Sequence, residues 1–340
     1  MTYQICLLPG DGIGPEVIGR AEQVLRALPL DWDFRRADIG YGAYKRLGTP
    51  LPEVTLQAVR DADAALFGAV TTPPGIRDYF SPVVRMRQAL DLYANLRPSC
   101  SIPHPGSRPG VDLLLVRENT EGLYSGIERV EQGGDRAVTE RVITRAGSER
   151  ILHTALELAG RTARRTLHVV HKANVLRATC GLFRQVAIEL ATQYPDVQVH
   201  EMLVDTCAME LIRAPGQFDV IVTTNLFGDI LSDVACMLVG GLGLAASGNI
   251  GAGDAVFEPV HGSAPPLAAT GKANPMAAFA AAAMMLDYLE ERIYAGRIRN
   301  AINDCIRAGL VTPDLGGALT TGEVTSQVIR QLETGEPMKP

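Results

Sequence analysis

The sequence predicts an α/β fold with a mostly parallel central sheet, divided between two domains. Three observations predict it. Apolar runs of strand length alternate with amphipathic helical runs along most of the chain, the pattern of strands joined by crossover helices. With 340 residues, the chain is too long for one small core. Two Pro/Gly-rich stretches, NLRPSCSIPHPGSRPG near residue 98 and GGLGLAASGNIGAGD near residue 240, interrupt the alternation and read as domain crossings.

YQICLLP is the first strand and PEVIGRAEQVLRAL the first helix. LDWDFRRADIG reads as a strand, VTLQAVRDA as a helix and AALFGAV as a short buried strand. After the loop TTPPGIRDYF comes the helix SPVVRMRQALDLY, with Ser81 as N-cap and Pro82 at the first helical position. VDLLLVRE, TLHVVHK, VQVHEMLVD and FDVIVTT are four further strands, and ERILHTALELAGRTA and TCGLFRQVAIELATQY are helices between them. The expected division is 1–98 with 240–340 in one discontinuous domain and 99–239 in the other. Residues of about 125–150 carry two β segments around a Gly-Gly turn; they read either as a solvated hairpin or as an arm that pairs with another subunit.

Hydrophobic residues at 46% and charged residues at 21% describe an ordinary globular protein. A net charge of −6 argues against nucleic acid as the main partner. It leaves room for a small anion held by a few arginines. The six cysteines are scattered with no C-x-x-C pair, which argues against a zinc ribbon or disulfide framework and suits a reducing cytoplasm. AAFAAAAMMLDYL is broken by Asp287 and is shorter than the ~20 residues of a membrane span, so it reads as a buried or interface helix and no membrane partner is expected.

The stretch VTTNLFGDILSDVA sets Asp229 and Asp233 four residues apart on one helical face. Like charges so placed cost about 0.2–0.5 kcal/mol. Asp205 ends the apolar run EMLVD, and ligands of parallel sheets bind at such strand ends. Three aspartates offer the hard oxygens that Mg²⁺ or Mn²⁺ takes. The competing reading, acids favoured at a helix start by roughly 0.3–1 kcal/mol, covers Asp229 and does little for Asp233. Arg87, Arg97 and Arg117 fall at or near the ends of a helix, a linker and a strand; converging, they would bind a di- or tricarboxylate, and singly they are surface residues. Tyr124 and Lys172 are acid or base candidates, Lys172 following the run LHVVH. The turn Gly10–Gly14 reads G-x-G-x-G, not the G-x-G-x-x-G of a dinucleotide fold, and Asp11 within it would repel a pyrophosphate.

LPGDGIGPEV, LDLYANLRP, VRENTEGLY, VVHKANVL, TTNLFGDILSD and EPVHGSAP follow one another along the chain. Together they resemble the metal-dependent β-decarboxylating dehydrogenases that act on isocitrate, 3-isopropylmalate, homoisocitrate and tartrate or malate, over residues 3 to about 320. The resemblance implies the two-domain isocitrate/isopropylmalate dehydrogenase-like fold, not a true Rossmann fold, working as a homodimer or homotetramer. The implied activity is NAD-dependent oxidation and decarboxylation of a hydroxy di- or tricarboxylate. Ser81, Arg87, Arg97, Arg117 and Asn174 would bind substrate. Asp229 and Asp233 would hold Mg²⁺ or Mn²⁺, with Asp205 supplied by the neighbouring subunit. Lys172, reaching over from the partner, would help remove the hydroxyl proton, and Tyr124 would protonate the enol carbon. Cofactor contacts would come from Ile13, Thr71, Thr72, Glu258, His261, Gly262, Ser263, Ala264, Pro265 and Asn274. Residues 125–150 would form the intersubunit arm.

The substrate expectation rests on the helix before Arg87. Phe80 stands where isopropylmalate enzymes carry a Glu, Ser81 where isocitrate enzymes carry a Ser, and Val83 where many of those carry an Asn. The Ser-Pro-Val-Val pattern looks most like homoisocitrate dehydrogenases, so conversion of homoisocitrate to 2-oxoadipate and CO₂ in lysine biosynthesis is expected, with isocitrate as runner-up. Arg85, two residues from Arg87, should lie on the opposite helical face. Pro266 stands where NAD-using relatives carry an Asp and NADP-using ones often carry Lys-Tyr; with no basic cluster present, NAD is expected. The rival reading, a non-catalytic regulatory subunit, sits poorly with the presence of Tyr124, Lys172 and all three aspartates.

Overall fold

The computed structural model describes residues 2–76 and 78–334; Arg77, within the TTPPGIRDYF loop, and the last six residues lie outside that description. The chain begins β1 (Thr2–Gly10), α1 (Gly14–Arg26), β2 (Asp31–Arg36), α2 (Tyr41–Leu47), α3 (Glu53–Arg60), β3 (Ala64–Ala69) and α4 (Pro82–Ala89). It continues with β4 (Ala94–Cys100), β5 (Asp112–Glu118), β6 (Glu128–Glu131), β7 (Arg136–Thr139), α5 (Arg145–Arg161), β8 (Thr166–His171) and α6 (Thr179–Ala191). Then follow β9 (Gln198–Leu203), α7 (Val204–Arg213), β10 (Val220–Thr223) and α8 (Asn225–Leu238). The last elements are β11 (Ala246–Ile250), β12 (Ala255–Pro259), α9 (Met276–Tyr288), α10 (Arg292–Arg307) and α11 (Thr321–Thr334).

Two compact units result. The first takes Met1–Asp91, Ile102–Ser107 and Gly240–Pro340; the second takes Leu92–Ser101 and Arg108–Val239, so residues 92–98 count with the second.

The strand order in the first unit is β2-β1-β3-β12-β11, parallel except for β11 against β12. Its core gathers Leu7 and Leu66 from the strands, Val17, Ile18 and Leu25 from α1, Phe279 and Met285 from α9 and Ile298 from α10, all essentially inaccessible to water. α9 is apolar on every side and is accordingly buried, as helices of that composition must be. At the head of α4, the Ser81 hydroxyl accepts the Val84 N–H at 3.4 Å and Pro82 occupies the first helical position. Arg87 is buried and Arg85 exposed, on opposite faces of that helix.

The strand order in the second unit is β4-β5-β10-β8-β9, with β4 antiparallel to β5 and the rest parallel. Asn95 pairs with Arg117 and Arg97 with Leu115 in the β4–β5 register. Because side chains alternate between faces, this register puts Asn95, Arg97 and Arg117 on one face. Leu113, Leu115, Phe218, Ile221 and Leu231 form the core beneath. The hairpin β6–β7 stands within the stretch expected to be an arm, and residues 145–150 of that stretch instead open α5, capped by Thr144. No helix among the described residues is long and apolar enough to cross a membrane.

Three local expectations need correction. The Pro-rich crossing near 98 contains β4, so Arg97 lies on a strand rather than in a linker. The glycine-rich crossing near 240 contains β11. β9 stops at Leu203, and Asp205 sits in the first turn of α7 rather than at the strand end. The apolar run MLV spans that junction, so hydrophobicity could not show the break.

Candidate active site

The second unit assembles four charges and a phenol at the start of α8. Arg117, at the C-terminal end of β5, is 1% exposed. Its Nε and Nη2 donate to Asn225 Oδ1 at 3.0 and 2.7 Å, and its Nη1 donates to Asp229. Arg97 on β4 donates from Nε to Asn95 Oδ1 at 2.7 Å and from Nη1 to Ser232 Oγ at 2.6 Å. It also lies 3.3 Å from Asp229 and 3.6 Å from Asp233. Tyr124 sits in the short helical turn Leu123–Ser125 and donates to Asp229 Oδ2 at 2.7 Å. The Arg117 guanidinium lies over the Tyr124 ring, 5.2 Å from its centre.

This closeness depends on one missing atom. A Cβ on Gly228 would lie 2.6 Å from Cγ and 2.8 Å from Cβ of Arg117, so only glycine lets α8 pack this close to β5. The electrostatics follow the same geometry. Burial first, then the bond to Asp229, push the Tyr124 phenol above its ordinary value and keep it protonated at neutral pH. Burial raises Asp233, Arg97 opposes that, and Asp229 adds to it.

Lys172 and Asp205 form a separate ion pair in the same unit, between the end of β8 and the first turn of α7. The Lys172 bond holds the Asp205 carboxyl below its usual range. Asn174 is exposed in the turn after Lys172. Among the described residues no three His, Cys, Asp or Glu side chains are grouped to hold a metal within one chain, so Asp205 does not join Asp229 and Asp233.

The first unit carries the remaining candidates. Arg87 donates from Nη2 to Glu258 Oε1 at 2.8 Å, and Asn249 and Ser247 donate to the same oxygen at 2.8 and 3.4 Å. Arg87 Nε is buried and has no hydrogen-bond partner among the described residues. The glycine turn is closed by backbone contacts: Ile13 N–H donates to Ser263 O at 2.9 Å, and the Thr71 and Ser263 hydroxyls meet at 2.7 Å. Gly12 adopts φ +60°, and a Cβ there would fall 1.9 Å from Ser263 O. Asp11 does not present free charge. Its carboxylate accepts the N–H groups of Tyr41, Gly42 and Thr71 at 2.7, 2.8 and 2.9 Å, two of them from the start of α2.

Thr72, Gly262 and Pro265 are exposed beside this turn. Ala264 holds the left-handed conformation at φ +38°, a strained choice for a residue with a Cβ. His261 Nδ1 lies 3.0 Å from the Gly262 carbonyl, its Nε2 is buried without a partner among the described residues, and burial lowers its pKa. Asn274 is fixed by Asp314 at 3.0 Å and by the Met276 N–H at 3.0 Å. Asn95, Asn225, Gly228 and Ser232 carry no signal in the sequence beyond their place inside quoted motifs, because what they do depends on contacts across the fold.

A family profile described as isocitrate/isopropylmalate dehydrogenase matches residues 4–330. The chain belongs to that family. It is thus a β-decarboxylating dehydrogenase acting on hydroxy acids. Isocitrate/homoisocitrate dehydrogenase of Thermus thermophilus is 52% identical over 335 residues, covering 98% of this chain and 100% of that protein. The 3-isopropylmalate dehydrogenase of Methanothermobacter thermautotrophicus is 47% identical, covering 98% and 99%. The crystal structure of isocitrate dehydrogenase from Methylococcus capsulatus superposes with a TM-score of 0.93 at 44% identity, covering 98% of this chain and 100% of that one. This isocitrate/isopropylmalate dehydrogenase family member therefore shares its overall fold with relatives named for three different substrates.

Proposed function

We propose that the protein is an NAD- and Mg²⁺- or Mn²⁺-dependent homoisocitrate dehydrogenase that releases 2-oxoadipate and CO₂. The observation that carries the reading is the balanced cluster of Arg97 and Arg117 against Asp229 and Asp233, with protonated Tyr124 beside it. Substrate carboxylates that take the two guanidiniums strip the aspartates of their countercharge. A divalent cation held by Asp229 and Asp233 would restore it, and hard carboxylate oxygens suit Mg²⁺ or Mn²⁺, so the residues fit the metal. When bound, the cation would polarise the C2 oxygen and the developing enolate, and the nicotinamide would accept hydride.

The chain's own groups do the rest. Arg87, Arg97 and Arg117 bind and orient the carboxylates. Lys172, once its own proton has passed to solvent and it is a neutral amine, helps remove the hydroxyl proton as C2 is oxidised. The C3–carboxyl bond then breaks, CO₂ leaves, and Tyr124 delivers its proton to C3. Lys172 and Asp205 serve the partner subunit's site in a homodimer or homotetramer. Exposed Met209 and Ile212 on α7 and Ile230 and Met237 on α8 support such an assembly. In the first unit, Ile13, Thr71, Thr72, His261–Pro265 and Asn274 would hold NAD. The six free cysteines support a reducing, cytoplasmic setting.

The test is initial NADH formation with Mg²⁺ on homoisocitrate, isocitrate and 3-isopropylmalate, repeated with NADP⁺. Homoisocitrate should lead in kcat/KM with NAD⁺. Isocitrate is a second reading, favoured by Ser81 and by the double name of the Thermus relative; one methylene is worth only about 1–3 kcal/mol in a pocket. A lead for 3-isopropylmalate would overturn the substrate reading. No turnover by a folded oligomer would favour a regulatory subunit.

A further inference from the structure

Asn225 opens α8 and is 1% exposed. It does not cap the helix: Thr224 occupies that position, and neither partner of the Asn225 side chain belongs to α8. Its Oδ1 takes both Nε and Nη2 of Arg117. Its Nδ2 donates to the backbone oxygen of Glu121 at 3.1 Å. A guanidinium only donates and a carbonyl only accepts, so the amide can face only this way.

Glu121 is itself tied down. Its N–H donates to Glu118 Oε2 at 2.9 Å, and its carboxylate accepts the Thr144 N–H at 2.9 Å. Three residues on, Tyr124 reaches Asp229, which is also the partner of Arg117 Nη1. A closed ring results: Asn225, Arg117, Asp229, Tyr124, and back through the 121–124 turn to Asn225.

We propose that Asn225 is a positioning residue for both ends of the reaction, its Oδ1 aiming Arg117 at a substrate carboxylate and its Nδ2 fixing the turn that aims Tyr124 at the enol carbon. This rests on the roles assigned above to Arg117 and Tyr124. The two halves of the amide can be separated. Asn225→Asp keeps an acceptor for Arg117 and sets an oxygen against the Glu121 carbonyl. Asn225→Ala removes both contacts.

Two readouts distinguish the halves. KM for the hydroxy acid reports Arg117. The configuration of deuterium at C3 of the 2-oxo product, formed in D₂O, reports Tyr124. Asn225→Asp should keep KM within about 3-fold, lower kcat by about 10–100-fold and scatter deuterium over both configurations. Asn225→Ala should also raise KM by about 10-fold or more. Deuterium confined to one configuration in both variants would overturn the proposal, as would equal losses in both. Early melting of the near-isosteric Asp variant would make Asn225 a folding residue and equally overturn it.

Wild-type inactivity would instead sink the functional reading. A crystal structure of Asn225→Ala then decides without turnover. The Arg117 guanidinium should leave its present orientation and the 121–124 turn should shift, and both in place would reject the positioning role.

Discussion

At Gly12 an added carbon would lie 1.9 Å from a backbone oxygen, whereas at Arg117 the crowding atoms are those of the charged side chain itself. The glycine turn of the first unit is fixed by main chain against main chain, and its only acid, Asp11, is consumed by three backbone N–H groups. The cluster of the second unit is charge held by neutral groups: Asn95, Asn225 and Ser232 orient the two arginines. The first arrangement should be sensitive to volume and indifferent to charge. The second should be the reverse, except at Gly228, where the two designs meet.

The largest expected effect tests the charged side. Arg117→Gln takes the guanidinium away from Asp229 and from the buried Asn225 oxygen, and truncating such a pair costs about 2–5 kcal/mol. kcat/KM should fall by about 10³-fold in steady-state assays, with little change in KM for NAD⁺. A loss under about tenfold would break the comparison. Next comes Gly12→Ala. Steric overlap and a left-handed backbone together should cost about 3 kcal/mol of stability and raise KM for NAD⁺ before KM for substrate. Thermal melting read beside cofactor titration checks it, and an unchanged melting temperature would mean that the turn yields.

The smallest effect asks whether acid sensitivity belongs to the second unit. His168 on β8 is buried, with no partner for Nδ1 among the described residues. Burial, aided by His200 and opposed by Asp219, lowers its pKa to about 4. The unfolded imidazole takes a proton near pH 6.5 that the folded one refuses until about 4. Stability is therefore full above about pH 6.5 and declines as pH falls toward 4, by on the order of 2 kcal/mol. His168→Leu should flatten that decline in melts at pH 7 and 4.5; parallel declines would assign the sensitivity elsewhere.

The alternation of strands and helices was legible because each element buries one face, and burial leaves a period in the sequence. The shared face of Asp229 and Asp233 was legible for the same reason, and both face Arg97. Arg97 was misplaced because Pro98 reads as a loop residue, although a strand tolerates it where no ladder N–H is required. Asp11 was read as a repulsive charge because nothing in sequence spacing shows that the start of α2 supplies its donors. Asn225 was invisible as a hub for a related reason: its partners stand 108 and 104 positions away in the chain.

The pairing of β4 with β5 carries one more consequence. Asn95 against Arg117 is a choice of register, and a slip by one residue would turn the Arg97 guanidinium to the opposite face from Arg117. Such a molecule would have nearly the same helix and strand content and the same far-ultraviolet spectrum. It would have no anion trap. For this protein, recovered activity rather than recovered ellipticity is the gauge of correct refolding.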